Sequence, residues 1–533
     1  MSRRVLLLVT AVLLLLPLAP PSAAQGRAPG RTGLTAAETA TLREYAAATW
    51  GSFEDMVDPG TGLPTDRLRA DGSRDTETST SNIGVYLWSA VAARDLGVIA
   101  PAEARERIAA VLTTLESMER HEPSGQFFNW YDHTTGEKLT VWPPSGAPLT
   151  PILSSVDNGW LAAGLRVVSG AVPELSDRAD ELADGMDFGF YYRPEQNRIL
   201  FHAVPSTGEE ACCYDTLVSE ARIALYLGIA QGQIPPEAYY GTWRTFPDSC
   251  DWSWQETRPG SGRGRATRSY YGVDVFEGNY EYRGLHLVPS WGGSMFEALM
   301  PSLVVPEAQW GRNSWGMNHP LTVAAQITHG LHEAEYGYWG FSPADVPLPG
   351  GGIGYEAMGV DGAGMDPGGY PSNLDRTTVD AGFEGCPGRP AQPVPEPAAF
   401  TNGVVTPHAA FLGLPFAPGP AMDNLAALRG DFDVYTDDRG FFDSVNVDTG
   451  AVTGTYLSLD QGMVMAAIAN TLLDGRIQEY FVDRDLQRAL HPMLARERFT
   501  AAPRCAVIGV IDRGDVANLA SERLCGRTPV SRG

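Results

Sequence analysis

Three carboxylates stand at the starts of otherwise apolar runs: Asp157 in "SSVDNGWLAAGL", Glu220 in "ACCYDTLVSEARIALYLGIA" and Glu297 in "SWGGSMFEALMP". Around Glu220, apolar residues from Leu217 to Ile229 cover every side of a helix, the pattern of a helix enclosed by protein. Arg222 is no local partner, because residues two apart on a helix do not face each other; Thr216, Leu217 and Ala224 do. The counter-charge of Glu220 must therefore come from another segment or a ligand, or the carboxyl holds its proton. Two readings follow, a structural ion pair across helices or a catalytic acid. Glu297 has the same ambiguity, since free amides at a helix start can satisfy a carboxylate. Asp157 could likewise be a dipole partner behind a Ser154 or Ser155 cap.

Three acids at three apolar helix starts converge if those helices share one ring. Cleaving or transferring a glycosidic bond needs an acid to protonate the leaving oxygen and a second carboxylate to activate water or form the glycosyl bond. A partly buried Glu without a local cation is suited to the first task. Aromatic residues that could stack on sugar rings lie beside the acids: Trp130 and Tyr131 in "GQFFNWYD", Trp142, Trp160, Trp291, and Trp339 in "YGYWGF". Tyr214 and Arg222, flanking Glu220, complete the candidate substrate contacts. Other chemistries lack their parts. No G-x-S-x-G elbow, phosphate-binding Gly-Lys-Ser/Thr loop, Cys-x-x-Cys pair or His-Glu-x-x-His run is present. "DFDVYTDDRG" fails as a calcium loop, with Tyr435 at a ligand position and no Glu at the twelfth. No metal or cofactor is expected.

The elements that must position these groups are helices. "TAAETATLREYAAATWGSF" opens on a capping box of Thr35 and Glu38. "STSNIGVYLWSAVAARDLGVI" is helical and apolar on both faces, and further helices are expected at about 101–120, 156–169, 176–190, 215–231, 295–303, 319–336, 404–414, 420–430, 459–474 and 483–496. About a dozen helices, some apolar all round and others amphipathic, suit an inner ring covered by an outer one. Runs such as "ILFHAV" and "VDVFEGNYEYRGLHLV" read as strands, too few for a central sheet. The Gly- and Pro-rich stretch 340–400 carries Phe341, Tyr355, Met358, Met365 and Tyr370, which favours an ordered binding loop over a linker.

The first 24 residues have a basic start, an apolar run and small residues at Ser22 and Ala24, as in a secretory signal peptide. The expected product is a released, extracellular protein without stable membrane insertion. Its formal net charge of −25 becomes more negative once Arg3 and Arg4 leave with the leader, which argues against nucleic acid as a partner. Aromatics at 10% and hydrophobic residues at 43% exclude a disordered acidic tail. Six cysteines in an exported chain suggest up to three disulfides, with Cys505 and Cys525 plausible partners and three connectivities open for Cys212, Cys213, Cys250 and Cys386.

Six ordered stretches, "TSTSNIGVYLWSAVAARDLGVI", "FFNWYDHTTGEKL…SSVDNGWLAAGL", "YDTLVSEARIALYLGIAQGQIP", "SWGGSMFEALMP", "GVVTPHAAFLGLPFAP" and "GFFDSVNVDTG…TYLSLDQGMVMAAIAN", are similar to the glucoamylase-like domain family. That family includes endo-β-1,2-glucanases and the transglycosylating domain of cyclic β-1,2-glucan synthases. The resemblance implies an all-α (α/α)6 barrel over residues 36–497, after a signal peptide 1–24 and a lead 25–35 and before a tail 498–533. It also implies catalytic roles for Glu220 and Glu297 and a cleft position for Asp157. Trp160 stands where the glucanase branch has a glutamate, and Thr401 where it has an aspartate, so the pair Glu220/Glu297 suits a retaining hydrolase or transglycosylase. The expected function is a secreted enzyme acting on β-glucan, foremost β-1,2-glucan, as a monomer with an oligo- or polysaccharide substrate. The alternatives are a hydrolase of another extracellular glycan and a non-catalytic glycan-binding protein.

Overall fold

The computed structural model describes residues 33–500 apart from 144, 245–265, 278, 283–284, 349–350, 357 and 361–402. The signal-peptide segment, the tail beyond Thr500, Cys250, Cys386, Cys505, Cys525, Met365 and Tyr370 lie outside the described residues. Among those described, fifteen α-helices follow in order: α1 (Ala36–Met56), α2 (Thr80–Leu96), α3 (Pro101–Ser117), α4 (Ser155–Ala171), α5 (Ser176–Asp184), α6 (Arg222–Ala230), α7 (Glu237–Gly241), α8 (Met295–Leu299), α9 (Glu307–Trp310), α10 (Trp315–Thr328), α11 (Pro407–Gly413), α12 (Pro418–Asp431), α13 (Ser458–Leu472), α14 (Arg476–Phe481) and α15 (Arg484–Arg496).

Their starts follow local chemistry. Thr35 and Glu38 form the reciprocal capping box at α1. Ser79, Ser154, Ser294 and Asp483 cap α2, α4, α8 and α15 through their side chains. Pro101, Pro407 and Pro418 occupy first helical positions, where a missing N–H costs nothing.

Six helices contact one another in a cycle. α2 packs on α4 and α13, α4 on α6, α13 on α11, and α11 on α8. The remaining step from α6 to α8 is made by Arg222, whose guanidinium donates to the carbonyls of Glu297 at 2.8 Å and Ala298 at 2.5 Å. The other long helices lie against this set: α1 on α13 and α2, α3 on α2, α5 on α4, α15 on α6, α10 on α8 and α12 on α11. Buried residues from both sets form one continuous core. Short antiparallel strands decorate the helix connections. Arg198–Val204 pairs with both Leu153–Ser154 and Glu209–Cys212, so one small sheet leads into α4 and also into the segment before α6. Cys212 and Cys213 are bonded to each other. No helix among the described residues is long and apolar enough to cross a membrane.

The expected helix over 215–231 begins only at Arg222. Residues 215–217 are drawn off by Trp243, whose N–H donates to Asp215 O at 2.6 Å and whose carbonyl accepts from Leu217 N at 2.8 Å. Glu220 therefore lies in the turn that delivers α6. The expected helix over 295–303 likewise closes at Leu299, where Pro301 tightens the chain into a 3-10 turn. "DFDVYTDDRG" forms a hairpin pairing Tyr435–Thr436 with Gly440–Phe441.

The α2–α4 crossing depends on glycine. A Cβ at Gly164 would sit 2.2 Å from Gly84 O, and one at Gly84 would sit 2.3 Å from Trp160 O. Gly164→Ala should therefore destabilise by about 1–3 kcal/mol through overpacking, although alanine gains about 1 kcal/mol in an unhindered helix. A lower midpoint in denaturant unfolding is the expected result; a higher one would refute the close crossing.

Candidate active site

The first turns of α2, α4, α8, α11 and α13, with the turn before α6, carry Ser81, Asp157, Glu297, His408, Asp460 and Glu220 in that order.

Arg222 answers where the cation beside Glu220 goes. It is fully buried, and its guanidinium donates to both oxygens of Glu307, at 2.6 and 3.1 Å. Tyr226 Oη donates to Glu307 at 2.7 Å, and His319 Nε2 lies 3.0 Å from it. Burial would raise the Glu307 carboxyl, but Arg222 and His319 outweigh it and hold it down at about 2. Arg222 also lies over the Trp315 ring at 4.6 Å. It offers nothing to a ligand, which corrects its assignment as a substrate contact.

Among the described residues, Glu220 is left without an ion-pair partner of its own. It is partly exposed, and its Oε2 accepts from Trp160 Nε1 at 2.6 Å. Its backbone N–H donates to Glu297 Oε2 at 2.7 Å, so the second carboxyl rests against the first residue's main chain. Burial, then the charge of Glu297, pushes the Glu220 carboxyl well above its ordinary range, against the Trp160 bond that lowers it. Glu297 is 9% exposed and is raised by burial to about 7, with the Glu220 N–H and the Ser219 hydroxyl opposing. Two interacting carboxyls of this kind titrate as a unit. Asp157 is partly exposed and accepts from Ser81 Oγ at 2.8 Å; the cap of α4 is Ser154, so Asp157 is not spent on it. Tyr214 is buried among the three, its hydroxyl raised by burial and then by Glu220, Glu297 and Asp157.

The aromatic candidates divide. Trp130 and Trp142 are partly exposed and meet edge to face at 5.6 Å. They are tied to the same end of the helices because Asn129 N–H donates to Ile152 O and Asn158 of α4 holds Phe127 at both backbone groups. Trp291 is partly exposed and packs on Tyr214 at 5.8 Å. Trp160 is fully buried against Trp88 and touches the site only through its N–H. Tyr131 and Trp339 are enclosed core residues with no face for a sugar: Tyr131 Oη donates to Glu119 O at 2.6 Å, and Asn424 clamps the Trp339 backbone.

Sequence reasoning missed Glu307, which no local pattern distinguishes, and it named Tyr355 only as one aromatic of an expected binding loop, without a place in the site. The hairpin Ala344–Pro347 with Ile353–Glu356 holds the Tyr355 ring 44% exposed. Its hydroxyl is raised by surrounding protein and then by the charges of Asp460, Glu220, Asp443 and Asp66. Asp443 and Asp460 stood in a stretch already quoted, without a role.

Two family models match the chain. Residues 266–485 match the Glycoamylase family, a glucoamylase family, and residues 44–221 match a domain of unknown function, DUF3131. The resemblance to the glucoamylase-like family is thus borne out. Among particular relatives, the cyclic β-(1,2)-glucan synthase NdvB of Rhizobium meliloti (strain 1021) is 29% identical over 320 residues, 58% of this chain and 9% of that protein. The chain therefore matches less than a tenth of that relative's length. Among solved structures, the endo-β-1,2-glucanase of Chitinophaga pinensis, in complex with sophorotriose and glucose, has a TM-score of 0.58 at 18% identity, covering 86% of this chain and 98% of that one. The β-1,2-glucanase of Parabacteroides distasonis has a TM-score of 0.61 at 16% identity, covering 87% and 60%. The helical fold is shared with these enzymes.

Arg222→Met leaves the Glu307 carboxylate buried without its cation and should cost about 3–5 kcal/mol, measured by denaturant unfolding. Glu220→Gln strands no cation and should leave stability unchanged or raised. A large loss in the second variant would show that Glu220 has a structural ion-pair partner.

Proposed function

We propose that the chain is a secreted glycoside hydrolase or transglycosylase that acts on β-glucan, with β-1,2-glucan the leading substrate, at one mouth of an (α/α)6 barrel. The observation that carries this reading is the contact of Glu220 with Glu297, two raised carboxyls beside a third acid and with no cation among the described residues given over to either. The cyclic contact of six helices inside a second set supports the barrel, and the likeness to a β-1,2-glucan synthase and to β-1,2-glucanases supports the substrate.

Glu220, its carboxyl raised well above the ordinary range by burial and by Glu297 and oriented by Trp160, protonates the glycosidic oxygen as the bond breaks. Glu297 is the second carboxylate. The Glu220 N–H and Ser219 stabilise its ionised form, in which it bonds to the anomeric carbon or withdraws a proton from the attacking water. A glycosyl bond to Glu297 would be released by water in hydrolysis or by a sugar hydroxyl in transfer, with Glu220 returning as base. Asp157, held by Ser81, binds sugar hydroxyls, while Trp130, Trp142, Trp291 and Tyr214 supply apolar faces.

Glu220→Gln should lower turnover of β-1,2-glucan roughly 100-fold or more, as expected for a positioned proton donor. Product profiling on a panel of purified glycans separates β-1,2-glucan from other substrates. Azide rescue of Glu220→Gln or Glu297→Gln, with the anomer identified, reports the role of each carboxylate. Full activity in Glu220→Gln would end the catalytic assignment.

The pH dependence has a definite sign. Glu297 binds its proton more tightly folded, at about 7, than at the ordinary value of 4.5. Its contribution to stability is therefore present below 4.5 and lost as pH rises to about 7. Glu297→Gln should raise the melting temperature relative to wild type more at pH 8 than at pH 4. The activity of the wild type should fall on the acid side below about pH 7 as Glu297 is protonated.

A further inference from the structure

Across the helix mouth from Glu220 lies a second group of buried polar atoms that the proposed reaction does not use. His408 in the first turn of α11, Asp443 in the loop after Gly440–Phe441, and Asp460 in the first turn of α13 each offer one ligand atom, all within 4.8 Å of one another. The three residues are 3%, 2% and 3% exposed. Among the described residues, His408 Nδ1 and Nε2, Asp443 Oδ1 and Asp460 Oδ2 have no hydrogen-bond partner outside the group; within it, His408 Nδ1 and Asp460 Oδ2 are 3.2 Å apart and the Asp443 and Asp460 side chains meet. Thr406 Oγ1, Thr455 Oγ1 and Gln461 Oε1, on the same segments, are also buried without a hydrogen-bond partner. Such atoms normally find partners, and their concentration in one place points to an occupant.

The surrounding charges do not supply it. Arg67 is the nearby cation, and it is committed to Asp345, with bonds of 2.6 and 2.7 Å to its two oxygens, and to Asp75 at 2.8 Å. Asp345 N–H donates to Asp443 Oδ2 at 2.5 Å, which fixes that carboxyl and leaves Oδ1 directed elsewhere. Asp66 is engaged by Asn82 at 2.8 Å, and Tyr355 brings only a hydroxyl. Two buried carboxyls and an imidazole therefore converge without a cation among the described residues.

We infer that His408, Asp443 and Asp460 bind one divalent transition-metal ion, of the Zn2+ or Mn2+ class, which ties the starts of α11 and α13 to the 443 loop. Imidazole nitrogen with two carboxylates suits these ions, whereas Ca2+ and Mg2+ prefer all-oxygen shells. The ion would take the place of the proton through which the Asp443 and Asp460 side chains otherwise pair in the wall of the cleft. Sequence spacing rules do not find the site, because its ligands come from three separate segments.

The test uses the full, untagged chain, stripped with EDTA and dialysed against Zn2+, Mn2+, Ca2+ or Mg2+, with elemental analysis and melting temperature as readouts. One equivalent of Zn2+ or Mn2+ per chain should be retained, with a melting temperature several degrees above that of the stripped protein. His408→Gln and Asp460→Asn should each lose that equivalent and the metal-dependent shift. If Asp460→Asn fails to fold, His408→Gln and the wild-type metal content decide. Absence of bound metal with an unmoved melting temperature would overturn the site and leave the two carboxyls sharing a proton. Retention of the equivalent by both variants, or binding of Ca2+ or Mg2+ in preference, would overturn it equally.

Discussion

The buried ion pair between Arg222 and Glu307 is the interaction on which the site depends. Taking a guanidinium and a carboxylate out of water is costly, and the cost is offset only when nearly every donor finds an acceptor. Here the guanidinium bonds to both oxygens of Glu307 and to the carbonyls of Ser219, Glu297 and Ala298, while Glu307 also takes Tyr226. The pair thereby fastens α6 to α8, α9 and α10. It also removes the closest cation from Glu220 and Glu297, so that both carboxyls remain raised.

Proton affinity in the site is thus set by an arrangement one layer behind it. Glu307 and Glu297 are both buried, yet one is held at about 2 and the other raised to about 7. The difference is the direct ion pair that Glu307 has and Glu297 lacks. Trp160 shows the same economy, since its indole fills the core against Trp88 and its single donor orients Glu220. Residues of this kind carry structure and chemistry at once, which is why aromatic type alone did not separate the sugar platforms from the core.

Much of the helical framework was readable in the chain. The Thr35–Glu38 box and the apolar periodicity at α2, α3, α4, α11, α12 and α13 announced helices that the structure contains. Errors fell where tertiary contacts competed with local pattern. Trp243 claims the backbone of residues 215–217, and Pro301 closes α8 early. The apolar content of 215–221 reflects burial, which a turn inside the protein requires as much as a helix does.

The sequence by itself raised the question of the counter-charge of Glu220, although the helix spacing it used does not apply, since α6 begins only at Arg222 and it is the contact with Glu307 that takes Arg222 away. It determined that three acids begin apolar segments and that the chain resembles a glycan-processing family. Only the tertiary structure decided which cation goes where, because Glu307 is 85 residues from Arg222 and nothing in either neighbourhood encodes their contact. The same holds for Glu220 with Glu297, 77 residues apart, and for the convergence of His408, Asp443 and Asp460. Periodicity specifies which face of a helix is buried; the electrostatic environment at its end depends on which other segments arrive there, and that is settled by packing over the whole chain.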